Sequence, residues 1–382
     1  MNTTRIKIEG EEQLAGVIEK IGTPAYCYFL PVLRRHIEDL KRAFGGYPTQ
    51  FLFATMANDH PEVLRAIAQE GVGACVNSMR HLELAVQGGF PPEKIQFTST
   101  GTPVSDMVSL QGLRISVNLD SPSQVALWCR QSRGAKAGIR VNAASLMRTN
   151  GATADRIGME VTDIASAQEL ARDEGGSVNG LHVYAGTNFQ KVDALLPKVR
   201  TIFQLAAGLP GLEYINIGGG IGIDYSHSSS GFDIQRYGAE VTSMALELAE
   251  RLGRAIRLIV EPGRWLVGES GRFVVRVTDV KLLHQEIFVA VDASIATFPR
   301  PYHHPESLHQ VRLLRPSRDS QNRDVTIVGR TTFSRDILGR SCLPASLNVG
   351  DLLAFDDAGA YCQSMSSRFL GQTEPVCLIA DD

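Results

Sequence analysis

Short runs of apolar, β-prone residues alternate with amphipathic stretches through the middle of the chain. Eight such runs are predicted to be strands, at 51–55, 73–76, 95–98, 115–118, 138–141, 180–184, 213–217 and 258–260. Apolar residues at helical spacing predict helices at 62–70, 79–87, 122–131, 162–174, 192–207 and 237–252. About eight successive strand–helix units are typical of a (β/α)8 TIM barrel. A doubly wound open sheet is the competing fold, but it usually has fewer strands.

The two ends of the chain have a different pattern. Residues 25–30 form a β-prone run, and helical spacing follows at 31–44. Past about residue 270, strand-like runs follow one another with turn residues between them, at 273–280, 287–291, 324–328 and 351–355. We therefore predict two domains, a (β/α)8 barrel over residues 31–269 and a C-terminal β-barrel-like domain formed by residues 270–382 with 1–30.

Composition and charge narrow the classes of function. The chain is 43% hydrophobic and carries a net charge of −3 with scattered arginines, so no nucleic-acid partner is expected. No apolar run is long enough to span a bilayer, and the polar N-terminus does not resemble a secretory signal. Six cysteines without a CxxC pair favour reduced thiols in a cytoplasmic compartment. His303 and His304 lack a third candidate ligand, so no metal site is predicted.

A glycine-rich turn follows the seventh predicted strand, in the sequence Asn216-Ile217-Gly218-Gly219-Gly220-Ile221-Gly222. Glycine reaches backbone angles closed to other residues, so consecutive N–H groups can converge on an anion such as phosphate. An isolated run of this kind is more often a tight turn. Here Thr187 and the sequence Glu261-Pro262-Gly263-Arg264 fall at the ends of two other predicted strands. Their hydroxyl and guanidinium groups are suited to phosphate, which favours a site at the carboxyl end of the barrel.

These stretches resemble motifs of the fold-type III PLP-dependent decarboxylases, the ornithine, diaminopimelate and arginine decarboxylase group. The matching stretches lie at 181–187, 217–222, 261–264, 300–301, 350–353 and 359–361. The resemblance implies the fold of alanine racemase and these decarboxylases, with PLP as cofactor. It also implies a homodimer with shared active sites and a small amino acid or amine-bearing acid as substrate.

The resemblance also implies roles for individual residues. The phosphate of PLP would be bound by Thr187, Gly219, Gly220, Arg264 and Tyr361. Glu261 would pair with the pyridine nitrogen and keep it protonated, which makes the ring an electron sink. Tyr184 stands where the family commonly has a histidine that stacks on the ring, and an aromatic side chain can stack there equally well.

Several catalytic positions of the family are changed. Met56 replaces the lysine that forms a Schiff base with PLP, so no covalent attachment at this position is expected. Asp336, expected to reach the partner subunit's pocket, is retained, while Thr332 replaces the cysteine of the same element. Cys75 and His81 stand where the family usually has Asp and Glu, and we interpret His81 as a helix-surface residue. Because several positions differ together, a natural divergence is favoured over an engineered lysine knockout.

Three functions are compatible with this pattern. The first is a divergent amino-acid decarboxylase-like lyase that holds PLP noncovalently. The second is a pocket recruited for a PLP-independent reaction, and the third is a noncatalytic paralogue that binds PLP or a partner subunit. Retention of Glu261 favours the first and third, and overall similarity makes the first the preferred prediction. Arg300 and Asp336 offer one positive and one negative handle, which suits lysine, ornithine, diaminopimelate or a carboxylated polyamine.

Overall fold

The structure is a computed structural model that describes residues 3–147, 156–315 and 321–381. Numbered along the chain, its strands are β1 Thr3–Ile6, β2 Ala25–Phe29, β3 Thr49–Ala54, β4 Gly73–Val76, β5 Ile95–Thr98, β6 Ser116–Leu119, β7 Lys136–Val141, β8 Ser177–Val183, β9 Tyr214–Asn216, β10 Arg257–Val260, β11 Gly271–Leu283, β12 Glu286–Val291, β13 Val311–Leu313, β14 Asn322–Val328, β15 Ile337–Pro344, β16 Leu352–Phe355 and β17 Val376–Ala380.

The helices are numbered in the same way. The α-helices are α1 Glu11–Ile21, α2 Leu30–Ala43, α3 Pro61–Gln69, α4 Met79–Gln87, α5 Val104–Gly112, α6 Pro122–Gln131, α7 Ala143–Met147, α8 Ile164–Asp173, α9 Val192–Ala206, α10 Ile234–Leu252, α11 Arg264–Val267 and α12 Arg300–His303. Short 3-10 helices lie at Thr55–Ala57, Pro92–Lys94, Val161–Asp163, Gly268–Ser270, Gln363–Met365 and Phe369–Gly371. Within the described ranges, no helix is both long and apolar enough to cross a membrane.

The chain divides into two compact units. The barrel unit consists of His36–Gly222 and Gly231–Gly263. The sheet unit consists of Met1–Arg35, Ile223–Ser230 and Arg264–Asp382. The functional domain bounds predicted from the sequence, 31–269 and 1–30 with 270–382, stay predictions.

Eight parallel strands close into a barrel in the barrel unit, in the order β10-β3-β4-β5-β6-β7-β8-β9. Each predicted strand of this region has a counterpart in the structure, which confirms the (β/α)8 barrel. The strands are buried on both faces because helices cover the outside. The longest helix, α10, shows how: Tyr237, Val241, Ala245 and Leu248 recur at helical spacing and are all buried.

A polar side-chain network runs through the interior of the barrel. The hydroxyl of Tyr214 donates to Asn118 Oδ1 at 2.7 Å, and Asn118 Nδ2 donates to Thr98 Oγ1 at 2.8 Å. The Tyr214 ring occupies space that a side chain on β8 would need, since a Cβ at Gly180 would lie 1.9 Å from Tyr214 Cζ. Glycine at position 180 is therefore required by packing inside the barrel rather than by a turn.

The sheet unit contains a nine-stranded mixed sheet in which β11 is central. Its path is β1-β17-β2-β11-β12-β14-β15, and β16 pairs with both β11 and β13. Helix α1 packs Leu14 and Ile18 onto a core that includes Val274, Leu352 and Leu378. Burying each such side chain stabilises the fold by about 1.5–3 kcal/mol. The sheet confirms the predicted β-rich second domain.

Candidate active site

The glycine loop is seated against the end of β10. Gly218 N–H donates to Asn216 Oδ1 at 2.9 Å, and Glu261 N–H donates to Gly218 O at 2.8 Å. Gly218 and Gly220 have φ of +67° and +89°, which only glycine adopts readily. A Cβ at Gly219 would lie 2.2 Å from the Glu261 carbonyl oxygen. Both the conformation and the close backbone approach therefore exclude other residues here.

The segment that carries Thr187 lies beside this loop. Phe189 N–H donates to Gly220 O, and Gly222 N–H donates to Phe189 O, both at 2.9 Å. Gly186 O is close enough that a Cβ at Gly220 would lie 2.7 Å from it. The structure thus brings Thr187, whose side chain is exposed, next to the glycine loop, as the sequence predicts.

Glu261 lies directly after β10 and is 8% exposed. Its Oε1 accepts a hydrogen bond from Asn216 Nδ2 at 2.7 Å, and its Oε2 lies 3.1 Å from His182 Nε2. Burial alone raises the pKa of a carboxyl group, but these partners outweigh burial and hold the pKa of Glu261 below its ordinary value. The carboxylate is therefore ionised at neutral pH.

His182, on β8, is 1% exposed, and burial lowers the pKa of its imidazole. The neutral ring donates its Nε2–H to the Glu261 carboxylate, which leaves Nδ1 as the unprotonated nitrogen. Nδ1 is buried without a hydrogen-bond partner. Asn216 Nδ2 donates to the other oxygen of the Glu261 carboxylate and also donates to Gln96 Oε1, at 2.6 Å.

Cys75, on β4, belongs to the same cluster. Burial, followed by the nearby Glu261, raises the pKa of its thiol well above the ordinary value, so the thiol stays protonated. Its carbonyl oxygen accepts a hydrogen bond from Thr55 Oγ1 at 3.0 Å. Glu261 is thus the charged member of a cluster whose other groups, Cys75, His182 and Asn216, are neutral.

Met56 lies in the 3-10 helix that follows β3, at the carboxyl end of the barrel. Its side chain is half-buried. The end of β3 is tied to the glutamate segment, because Ala54 N–H donates to Pro262 O at 3.0 Å. Tyr184 follows β8 two positions after His182, and a spacing of two places both side chains on the same face of an extended chain.

The sheet unit contains a second group of predicted residues. Arg264 Nη1 donates to the Tyr225 hydroxyl at 2.7 Å, and the guanidinium carbon lies 4.7 Å from the centre of the Tyr361 ring. Arg264 and Tyr361 are thus neighbours, while their role in binding phosphate stays a prediction. Tyr225 is also covered by Arg300, whose guanidinium carbon lies 3.5 Å from the centre of the ring.

Arg300, the predicted positive handle for substrate, is buried within the sheet unit. It is 2% exposed, and burial lowers the pKa of its guanidinium. Its Nη1 donates to Ser307 O at 2.7 Å and lies 3.2 Å from His309 Nε2. Ser307, His309 and Tyr225, which contact Arg300, all belong to the sheet unit. The role of Arg300 in substrate binding stays a prediction.

The Asp336 side chain is also buried within the sheet unit. It is 3% exposed and accepts hydrogen bonds from Ile295 N–H at 2.8 Å and Thr331 N–H at 3.1 Å. A Cβ at Gly329 would lie 2.3 Å from its carboxylate, so glycine at position 329 leaves the space that this aspartate occupies. Thr332 is exposed. The predicted reach of Asp336 into a partner's pocket stays a prediction.

Two features of the barrel unit fit pyridoxal phosphate. Glycines packed at one strand end suit a phosphate, and the buried ionised Glu261 on the adjacent strand suits a protonated pyridine nitrogen. Met56 supplies no amine for a bond to the aldehyde. In the described portion of the chain, no group of three or more His, Cys, Asp or Glu side chains is placed to hold a metal ion.

The sequence profile described as the pyridoxal-binding domain of pyridoxal-dependent decarboxylases matches residues 30–268. The chain belongs to this family. It is 30% identical to the probable chloroplastic diaminopimelate decarboxylase of Oryza sativa subsp. japonica, over 97% of this chain and 77% of that protein. It is 27% identical to the diaminopimelate decarboxylase of Methanothermobacter thermautotrophicus, with coverage of 94% and 86%.

Solved structures agree on the fold of this pyridoxal-dependent decarboxylase family member. Diaminopimelate decarboxylase from Helicobacter pylori complexed with L-lysine superposes with a TM-score of 0.87 at 23% identity. The alignment covers 97% of this chain and 94% of that one. The match extends over both units and confirms the fold-type III class.

The sequence analysis assigns no role to three residues that the structure places beside Glu261 or at the carboxyl end of the barrel. His182 could have been found because it precedes Tyr184 by two positions on one strand. Asn216 could have been found because it ends the strand before the glycine loop. Asp59 gave no signal, since its partner His81 lies 22 positions away in the chain and only the pairing of β3 with β4 brings them together.

Proposed function

We propose that this protein is an amino-acid decarboxylase-type lyase that binds PLP, or an adduct of PLP with an amine, without a covalent bond to the chain. The observation that carries the proposal is the buried, ionised Glu261 at the carboxyl end of the barrel, held by His182 and Asn216 beside the glycine loop. A carboxylate in this setting has little use unless a cationic nitrogen approaches it.

Pyridoxal phosphate, when bound, supplies an electron sink for the pair of electrons left when a carboxyl group departs as carbon dioxide. The chain's own residues do the rest. Glu261 keeps a proton on the pyridine nitrogen, and His182 with Asn216 keeps Glu261 ionised and fixed in place. The glycine loop and Thr187 would orient the phosphate through backbone N–H groups and a hydroxyl group.

Met56 makes the binding reversible. Its side chain is unbranched and apolar, so it fills space near the carboxyl end of β3 without forming a bond. A lysine at this place would load substrate by exchange of one amine for another and would also move protons. Because Met56 would leave PLP held only by noncovalent contacts, turnover is expected to depend on the concentration of free PLP.

The proposed substrate is an amino acid with a polar distal end. The relatives described above are diaminopimelate decarboxylases, which supports diaminopimelate as the first compound to test. Lysine, ornithine and carboxylated polyamines follow. We also propose a homodimer with shared active sites, supported by the family's domain organisation. A monomer in sedimentation velocity at micromolar concentration would contradict the dimer.

Binding of the pyridine is tested with pyridoxamine 5′-phosphate, which cannot form a Schiff base with surface lysines. Calorimetric titration of the wild-type protein is expected to show one saturable site per chain. Glu261→Gln should weaken binding by about 10- to 100-fold, since a hydrogen bond to a charged group contributes about 1.5–3 kcal/mol. Glu213→Gln is the matched control, because Glu213 is exposed and precedes β9 at the other end of the strand.

Covalent attachment is tested with PLP, borohydride reduction and peptide mass spectrometry. The wild-type protein should show no modified lysine in the barrel strand ends, whereas Met56→Lys should be labelled at position 56. Met56→Leu keeps the volume without an amine and is the matched control. A wild-type adduct, with Lys191 as the first candidate, would show that another lysine has taken over the attachment.

Turnover separates the proposal from its alternatives. Release of carbon dioxide from diaminopimelate, lysine or ornithine in the presence of PLP is the expected result. Tight binding of pyridoxamine 5′-phosphate without turnover of any substrate would favour a noncatalytic protein. No binding at all, even in the presence of an amino acid, would favour a pocket recruited for a different reaction.

A further inference from the structure

A histidine and an aspartate meet at the carboxyl end of the barrel beside the segment that carries Met56. Asp59 follows the 3-10 helix Thr55–Ala57 after β3, and His81 lies in the first turn of α4 after β4. These two strands are adjacent in the barrel, and α4 packs against the 3-10 helix. His81 Nε2 lies 3.9 Å from Asp59 Oδ2, an ion-pair distance that one small rotation or one water molecule closes to a hydrogen bond.

The His81 ring is held in one orientation. Its Nδ1 lies 2.7 Å from the side-chain oxygen of Asn77, and an amide oxygen only accepts, so Nδ1 carries a hydrogen. Its backbone N–H donates to Ser78 Oγ at 3.1 Å, which fixes the helix turn below it. The nitrogen nearest Asp59 is therefore Nε2, which lies beyond hydrogen-bond distance from the carboxylate and so keeps a proton that can be transferred.

The surroundings bring the pKa values of Asp59 and His81 closer together, which favours the sharing of one proton between them. Burial raises the pKa of Asp59, and burial lowers the pKa of His81, although each is opposed by the charge of the other. Arg80 is the other charged group that acts on both, and it lowers both pKa values; it also pairs with Glu83 on the exposed side of α4. The His81 side chain is 17% exposed and that of Asp59 is 36% exposed, so the proton can be replaced from solvent.

We propose that the His81–Asp59 pair is the proton donor for the reacting carbon, in place of the amine that Met56 lacks. This inference rests on the proposed function, because it needs a decarboxylation to serve. A methionine cannot move a proton. A protonated imidazole beside the same strand end can. His81, interpreted from the sequence as a helix-surface residue, thereby gains a role.

The step balances without any further reactant. The bond between Cα and the carboxyl carbon breaks, carbon dioxide leaves, and the bonding electron pair stays with Cα, where bound PLP would supply the electron sink. The Nε2–H bond of His81 then breaks, and a C–H bond forms at Cα. The neutral imidazole regains a proton from water, and the Asp59 carboxylate stabilises the imidazolium that results.

The experiment combines two readouts. In the cofactor-free protein, the pKa of His81 is measured by NMR titration in wild type and in Asp59→Asn, and it should fall in the variant because a neighbouring carboxylate favours imidazolium. In deuterium oxide, with PLP and the best substrate among diaminopimelate, lysine and ornithine, the configuration of the monodeuterated product is measured. Wild type should give a single configuration.

His81→Gln should lower the decarboxylation rate by about 10²- to 10⁴-fold and give product of mixed configuration, because water then delivers the deuteron from either face. The rate of Asp59→Asn, and the proportion of a single configuration in its product, should lie between those of wild type and His81→Gln. Gln87→Ala is the matched control, at an exposed and uncharged position of the same helix, and should keep both rate and configuration. Circular dichroism of each variant establishes that the fold is retained.

The outcomes separate this role from the function on which it rests. Full rate and a single configuration in His81→Gln would overturn the role and leave the proposed function standing. An unchanged His81 titration in Asp59→Asn would overturn the pair. A wild-type protein that binds pyridoxamine 5′-phosphate but turns over no substrate would contradict the proposed function, and the proton-donor role with it.

Discussion

The barrel unit buries a carboxylate at its centre, whereas the sheet unit buries two guanidiniums, and the surroundings of these charges differ. Glu261 is held by neutral hydrogen-bond donors, His182 and Asn216. Arg264 and Arg300 lie against the ring of Tyr225 and donate to oxygen acceptors. Over the part of the chain described here, both arginines have a buried Nε without a hydrogen-bond partner.

Both kinds of charge make hydrogen bonds, but only the guanidiniums also lie against aromatic rings. A hydrogen bond to a charged group contributes about 1.5–3 kcal/mol, and a cation over an aromatic ring contributes about 0.5–2 kcal/mol. The Glu261 carboxylate also accepts hydrogen bonds from two buried donors, His182 Nε2 and Asn216 Nδ2. Both donors would lose this acceptor if the carboxylate were removed. Removing Glu261 should therefore cost more than removing Arg300.

The largest expected effect comes from Glu261→Leu. His182 and Asn216 would lose their acceptor inside the barrel, so the free energy of unfolding of the barrel unit should fall by about 3–5 kcal/mol. Urea unfolding is followed by fluorescence of Trp128 in a Trp265→Phe background, because these are the chain's two tryptophans and lie in different units.

Glu213→Leu is the control for this change. Glu213 accepts from Lys136 and Asn179 at the surface, so its loss should cost less than about 1 kcal/mol. Equal losses in the Glu261 and Glu213 variants would show that the buried hydrogen bonds contribute nothing beyond an exposed pair. That result would remove the contrast between the two units.

The parts of this picture that follow from local chemistry could be predicted from the sequence. Glycines at 218 and 220 are needed for positive φ, and the β-prone runs place them at a strand end. The eight barrel strands were predictable because parallel strands buried on both faces are continuous apolar runs. Glu261 was predictable as a site residue because its motif is contiguous.

Features that depend on packing between distant segments could not be predicted. The burial of Arg300 is one such feature, because the ring that covers its guanidinium belongs to Tyr225, 75 residues away in the chain. Helix α5 was missed because Val104 and Val108 are exposed apolar residues that blur its amphipathic pattern. Helix α1 was missed because its start is polar, although Leu14 and Ile18 are fully buried.

The second effect concerns pH and the cluster around Arg300. Burial, followed by the nearby Arg300, lowers the pKa of His309 to about 3. His309 Nδ1–H donates to Asp356 O at 2.7 Å, and Nε2 faces Arg300. The folded pKa lies below the unfolded value of about 6.5, so this contribution to stability is complete above pH 6.5 and is lost as pH falls toward 3.

Between pH 8 and pH 5, the loss from His309 should amount to about 2 kcal/mol in the sheet unit. Trp265 fluorescence in a Trp128→Phe background reports it. His309→Gln cannot titrate, so its stability should change less over this range than that of wild type by about that amount. His303→Gln, at an exposed histidine, should keep the wild-type dependence. An unaltered pH dependence in His309→Gln would show that His309 is not buried neutral.

The smallest effect is expected from Arg300→Met, which replaces the buried guanidinium with an apolar side chain. The variant loses the hydrogen bonds to Ser307 and the contact with the Tyr225 ring, but it also removes an unpartnered Nε and a like charge near Arg264. These changes oppose each other, so the stability of the sheet unit at pH 8 should change by less than about 1 kcal/mol.

A more specific test of Arg300→Met is its effect on the pKa of His309. Without the cation 3.2 Å from Nε2, the pKa of His309 should rise, and the stability lost between pH 8 and pH 5 should shrink by less than about 1 kcal/mol. In the double variant with His309→Gln, the arginine change should have no further effect on the pH dependence. If Arg300→Met alters the pH dependence equally with and without His309, the two side chains are not coupled, and burial alone keeps this histidine neutral.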